Sequence, residues 1–383
     1  MSFPARGSKR RLRWAGVLNV LALVCLLAGG SGEPARASVS LLLEQPYGGL
    51  GRVNPMGHSA LYFDHICAAS PTELRPCRPG ELGAVVSRYD GIHDYDWLAV
   101  PLVPYLYAVE SPAEIPDWMT HADVARVRDE YRRRWLQAVA PNLPDGSSPG
   151  GNWYELVGSA YDRTIYGFTV DTTAEQEARL IALFNDRRNR QRYNGLFRNC
   201  ADFARVTINR LYPHAVRRNF VADFGFTTPK SVARGLSHYA EKHPEVHLRQ
   251  FVIPQVEGTL PRSHEVQGIT EGLIKRYGVP LVVLSPIATG VVFVAYMGHG
   301  RLDMPRDAPV LDLREQAMAL TTGAAGPPAA GRRTEAPGAD ATASFVWPLL
   351  AAPVAAPVEP EVTVPALLSS PVPGDVRMDS SSE

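Results

Sequence analysis

Four short runs set the terms for what this chain can fold into. Between Ser38 and Val109 it reads "SVSLLLEQPY", "HSALYFDHIC", "LGAVVSRYD" and "DWLAVPLVPYLYAV". Each is rich in β-branched and aromatic residues and is bounded by Gly, Pro or Asp, the pattern of strands in a mostly antiparallel sheet. "RTIYGFTVDT" adds a later strand. Helical spacing interrupts them. "THADVARVRDEYRRRWLQAVA" repeats apolar side chains at Val124, Val127, Tyr131, Trp135 and Val139. "TTAEQEARLIALFNDR" opens with Thr172 or Thr173 and a Glu or Gln three residues later, a capping box. "TTPKSVARGLSHYAEKH" carries its proline near the start, where a helix tolerates one. The expectation is an α+β unit over residues 38–270, a mostly antiparallel sheet packed on helices. A hydrophobic fraction of 45% against 20% charged residues is enough to build its core.

The two ends of the chain read differently. Residues 1–37 hold a basic stretch (Arg6, Lys9, Arg10, Arg11, Arg13), an apolar run from Ala15 to Ala28, and Ala35 and Ala37 in an A-x-A site. That is a secretory signal peptide, or else an uncleaved signal anchor. Val24 stands before Cys25 where a lipoprotein needs a small residue. The nineteen residues from Val279 to Met297 carry no charge, which predicts a transmembrane helix; the alternative is a buried hairpin of two strands broken at Ser285–Pro286. Lys275 and Arg276 precede the run, and Arg301 and Arg306 follow it, so its orientation stays open. A short linker leads to residues 320–383, an Ala/Pro-rich tail expected to be disordered. Together these features predict an exported protein held in a bacterial inner membrane, with its globular unit in the periplasm.

Lys+Arg and Asp+Glu are 39 each, so no global field points to nucleic acid. Four cysteines are present, and cleavage would remove Cys25. In an oxidising compartment Cys67 and Cys77, ten apart in a Pro-rich stretch, are expected to form a local disulfide. Cys200 is left over. In "YNGLFRNCADFARVTINRLY", Asn199 is a good N-cap and Cys200 opens the helix carried by Ala201, Ala204, Val206 and Ile208. A thiol there feels the positive end of the helix dipole, which favours the thiolate. A cysteine hydrolase also needs a histidine to move protons. Of ten histidines, His58 opens a core strand behind a glycine turn. His65 ends the same run, but its odd spacing turns it to the other face. "HDYD" at His93–Asp96 has no second cluster with ligand spacing, so no metal is expected, and no glycine-rich stretch forms a phosphate loop or suggests a cofactor.

The order of these residues is informative: a histidine on an early strand, then "NC" at the start of a later helix with an aromatic residue close behind. With "GSAYDRTIYGF" between them, residues 40–240 resemble the circularly permuted branch of the NlpC-type papain-like superfamily, which includes the lecithin–retinol acyltransferase-like proteins. The resemblance implies a permuted papain-like fold with Cys200 as nucleophile and His58 as general base. It also implies a third polar residue on the strand after the histidine, for which Ser87 and Tyr89 are the candidates. Two classes of function follow. One is a thiol hydrolase or acyltransferase acting on peptidoglycan amides or lipid acyl groups. The other is a membrane-associated envelope protein that keeps the scaffold without turnover.

Overall fold

The computed structural model describes residues 37–48, 55–186 and 188–315. The export signal and the Ala/Pro-rich tail expected from the sequence lie outside the described residues. Six strands form one fully antiparallel sheet: β1 (Ser38–Glu44), β2 (His58–Phe63), β5 (Ala84–Ser87), β6 (Leu98–Pro101), β8 (Ile165–Asp171) and β9 (Arg249–Ile253). Their spatial order is β6-β5-β2-β1-β8-β9. The central β1 pairs with β2 on one side, Glu44 opposite His58, and with β8 on the other. The unbroken "LLL" of β1 reflects cover on both faces. Leu41 and Leu43 join Leu61, Phe63 and Phe168 in one core, and Leu42 joins Ala60, Tyr62 and Val85 in the other. All three leucines are fully buried, each contributing on the order of 1.5–3 kcal/mol relative to exposure.

Helices α4 (Ala174–Asn185), α5 (Cys200–Leu211) and α6 (Pro229–Lys242) cover the first face through Leu180, Phe203, Ile208 and Leu236. Helices α1 (Leu102–Tyr107), α2 (His121–Trp135) and α3 (Ser159–Asp162) cover the second through Tyr105, Tyr131 and Tyr161. Reciprocal capping boxes start α2 at Thr120 and Asp123, α4 at Thr173 and Gln176, and α6 at Thr228 and Ser231. On α2 the expected stripe is only part of the buried face: Trp135 is exposed, while Arg128 and Arg132 are buried. Both arginines are retained there by backbone carbonyls, Arg128 on those of Val157 and Gly158 and Arg132 on that of Ala140.

Two of the opening runs divide where a single strand was expected. "HSALYFDHIC" breaks at Asp64, whose carboxylate takes the Ser38 amide and hydroxyl at 2.7 Å each. His65 therefore sits in a turn, bonded to Asp64, and not on β2. β3 (Ile66–Ser70) begins after it and pairs with β4 (Glu73–Pro76), and this hairpin is closed by the Cys67–Cys77 disulfide. "DWLAVPLVPYLYAV" is strand β6 and then helix α1. Pro101 lacks the N–H that would extend the ladder and serves as the helix N-cap. A short parallel pair joins β7 (Trp118–Met119) to β10 (Glu257–Gly258).

The uncharged run Val279–Met297 is not one transmembrane helix. It is split between α7 (Ile269–Leu284) and α8 (Pro286–His299), and no helix among the described residues is long and apolar enough to cross a membrane. The break falls at Ser285–Pro286, but it joins two helices and not two strands. The Tyr296 hydroxyl bonds to Glu271, so the end of α8 lies beside the start of α7. Beyond the hairpin the chain returns to the body. Val310 bridges Val252 of β9, and Leu313 is buried in the second core. Both ends of the hairpin thus belong to one folded unit, which a single crossing would divide. The stretch expected to be a linker is part of that unit as far as residue 315.

Candidate active site

Three elements converge at one end of the sheet. Gly57 turns the chain into β2 at a φ of +72°, and a Cβ there would stand 2.1 Å from the Glu44 carbonyl oxygen. The turn leaves His58 half-buried as the first residue of the strand. On the neighbouring β5, Ser87 Oγ lies 3.0 Å from His58 Nε2 and donates its own proton to the Ser59 carbonyl at 2.7 Å. The hydroxyl has one proton, so it accepts from the Nε2–H. Nδ1 is the nitrogen left for the thiol. Tyr89 stacks on the imidazole, with ring centroids 5.2 Å apart and planes 22° off parallel.

From the other face, α5 brings Cys200. The Asn199 side chain accepts from the Asp202 amide at 2.8 Å and donates to the carbonyls of Gly195 and Thr227. These bonds fix the helix start against the loop before it and the segment that leads into α6. Cys200 is 6% exposed and hydrogen-bonds His58. The Ser59 amide and its fully buried hydroxyl, which makes no other hydrogen bond among the described residues, also face the sulfur. Sequence placed these five residues in three separate stretches, His58 in one, Ser87 and Tyr89 in a second, and Asn199 and Cys200 in a third. The fold brings all five together.

The two titrating groups shift in opposite senses. Burial by itself lowers the His58 pKa. The Cys200 thiolate, the hydrogen bond between them and the carboxylates of Glu44 and Glu155 outweigh it and carry the imidazole up to about 9. Burial by itself raises the Cys200 thiol. The His58 charge, its hydrogen bond and the two Ser59 groups prevail, and the thiol lies below its ordinary value. An ionised pair at neutral pH is the state this geometry favours.

Behind His58 lies a buried network that sequence reading missed. Glu44, fully buried, accepts from Tyr105 and from Ser159 at 2.8 Å and pairs with Arg163 at 3.3 Å. Arg163 also pairs with Glu155, which accepts from Tyr47 at 2.9 Å. Burial opposes the Glu155 charge, but Arg163 and His58 together hold the carboxyl below its usual range. Tyr193 was missed as well. Burial, and then the nearby Cys200 charge, hold its phenol protonated well above the ordinary range. Its only signal in the sequence is its place just ahead of the "NC" pair. The residues Asp64, His65 and Glu177 bring their ligand atoms within 4.8 Å of one another. Those atoms are engaged internally, Asp64 by Ser38 and His65, and Glu177 by Thr172. His93 lies in a loop at positive φ, its carbonyl bonded to Arg190. No family model, curated protein or solved structure matches this chain.

Proposed function

We propose that the protein is a thiol-dependent hydrolase or acyltransferase of the permuted papain-like kind, acting on amide or ester bonds of the cell envelope. The observation that carries this reading is a thiol at a helix N-terminus, bonded to a histidine whose second nitrogen is held by Ser87. In the proposed cycle the Cys200 thiolate attacks a carbonyl carbon. The S–C bond forms and the carbonyl electrons move onto oxygen, where the Cys200 amide in the first helical turn is placed to donate. The imidazolium of His58 gives its proton to the leaving nitrogen or oxygen as that bond breaks, and an acyl-thioester remains on Cys200. His58, now neutral, takes a proton from water or from an acceptor amine or alcohol, which attacks the thioester and releases the thiolate. The Cys67–Cys77 disulfide supports an oxidising, exported location.

The deep placement of Cys200 favours a second reading, a scaffold without turnover. To separate the two, the purified chain is incubated with peptidoglycan fragments and, in parallel, with diacyl phospholipid vesicles. The reaction is quenched in acid and the Cys200 peptide is weighed. The enzyme reading expects an acyl adduct or released product from one substrate, absent in Cys200→Ala. Neither signal from either substrate, with a thiol that still ionises near neutral pH, supports the scaffold reading.

A further inference from the structure

The α7–α8 hairpin is an apolar structure built out of a polar body. No Asp, Glu, Lys or Arg occurs from Tyr277 to Gly300. Val283, Ile287, Val291 and Val294 are each at least 65% exposed. From Pro280 to Gly298, no side chain whose burial is described is buried, and only those of Thr289, Val292 and Tyr296 are partly covered. Exposed apolar surface of this extent marks an interaction site. We propose that the hairpin docks the protein on an anionic lipid bilayer by entering one leaflet.

Three observations select lipid as the occupant. The first is reach. At 1.5 Å per residue, the uncharged part of α7 from Tyr277 to Leu284 extends about 12 Å and α8 from Pro286 to Met297 about 18 Å. A hydrocarbon core is about 30 Å thick, so the hairpin matches one leaflet. Both of its ends return to the same folded body, as insertion from one side requires. The second is charge. Lys275 and Arg276 lie one turn below the apolar part of α7, and Arg301 and Arg306 follow α8, with Glu271, Asp303 and Glu265 among them as partners. Four exposed cations and three exposed carboxylates (Glu265, Asp303 and Asp307) lie at the level of the phosphate headgroups, and charge is absent beyond it. The third is continuity. The hairpin base is bonded to the 219–226 segment through Ile269 to Asp223 and Thr270 to Ala222. That segment exposes Phe220, Val221 and Phe224. Phe226 packs on Phe197 in the loop that leads into Cys200, the rings 5.2 Å apart. The apolar surface therefore runs from the hairpin tip toward the thiol. If the thiol reading holds, the docked protein meets its acyl substrate at the lipid surface.

The test does not depend on that reading. A nitroxide is attached at position 287 in the full chain carrying Cys25→Ser, Cys200→Ser and Ile287→Cys. Vesicles of phosphatidylglycerol and phosphatidylethanolamine are compared with pure phosphatidylcholine. Docking predicts that the label on the anionic vesicles is accessible to oxygen and shielded from a water-soluble nickel chelate. Adding Val291→Asp and Val294→Asp is expected to reduce that shielding at least tenfold. A label that remains in water on vesicle-bound protein overturns the proposal, whatever the N-terminal segment does. So does a vesicle-independent dimer that the two aspartates dissolve, because the face would then belong to a second copy of the chain.

Discussion

Replacing His58 with alanine tests the coupling at the centre of the site. A rise from the ordinary 6.5 to about 9 corresponds to roughly 3 kcal/mol in favour of the imidazolium, an upper figure because the ring is partly exposed to solvent. The alanine variant removes that cation and its hydrogen bond. Burial, the opposing influence on Cys200, is left with the Ser59 groups and the helix N-terminus against it, and the thiol should return toward about 8.5. A thiol at 8.5 is about 3% ionised at pH 7. The wild-type thiolate is a weaker intrinsic nucleophile than a free one, which narrows the gap. Cys200 alkylation at pH 7 should thus slow on the order of tenfold in the variant, and its pH midpoint should move up. Stability offers a second readout, with its sign set by linkage. Taken alone, the raised histidine stabilises the fold below about 6.5 and loses that share as pH rises through about 9. The depressed thiol stabilises above its unfolded value near 8.5 and loses its share as pH falls through the folded one. Each depends on the other's charge, so the wild-type advantage should peak between the two folded values and shrink on both sides. Coincident alkylation curves for wild type and His58→Ala would refute the reasoning and leave His58 as a strand residue only.

Ser87→Ala should leave the Ser59 carbonyl and His58 Nε2 without their shared partner, costing about 1–3 kcal/mol in urea denaturation. If Ser87 also orients the ring, turnover should fall further than the change in folded fraction explains. Reducing the Cys67–Cys77 bond opens a loop with a separation of ten residues, and the chain-entropy relation puts the loss at about 3 kcal/mol, read as a lower denaturation midpoint with reductant present. Arg163→Ala strands the fully buried Glu44 carboxylate and the half-buried Glu155 carboxylate and should cost about 3–5 kcal/mol, with part of it regained in acid as Glu155 protonates. A midpoint unchanged from pH 5 to 8 would show that the network is not ionised as described.

The local code of this chain was legible where short-range physics decides it. Thr120, Thr173, Thr228 and Asn199 each begin a helix because a side-chain oxygen takes the amide three residues on, a contact within one turn. The β-branched and aromatic runs between Gly, Pro and Asp likewise located β1, β2, β5 and β8. The disulfide was readable because the two cysteines are close in the chain. Cys200 and His58 could be singled out by chemistry, one at a helix start and the other at a strand start. Where the strands stop was not legible. Asp64 ends β2 by binding Ser38, 26 residues away, and the exposure of His65 follows from that one contact. The Glu44–Arg163–Glu155 network was hidden for the same reason, since each charge alone reads as an ordinary polar residue. The uncharged run at Val279–Met297 shows the limit most plainly. Hydropathy fixes how apolar a segment is, but Pro286 and the packing of Tyr296 on Glu271 make it a hairpin, and the return of Val310 to β9 places both its ends on one body. Composition settles which residues avoid water. Only long-range pairing decides which way the chain turns to satisfy them.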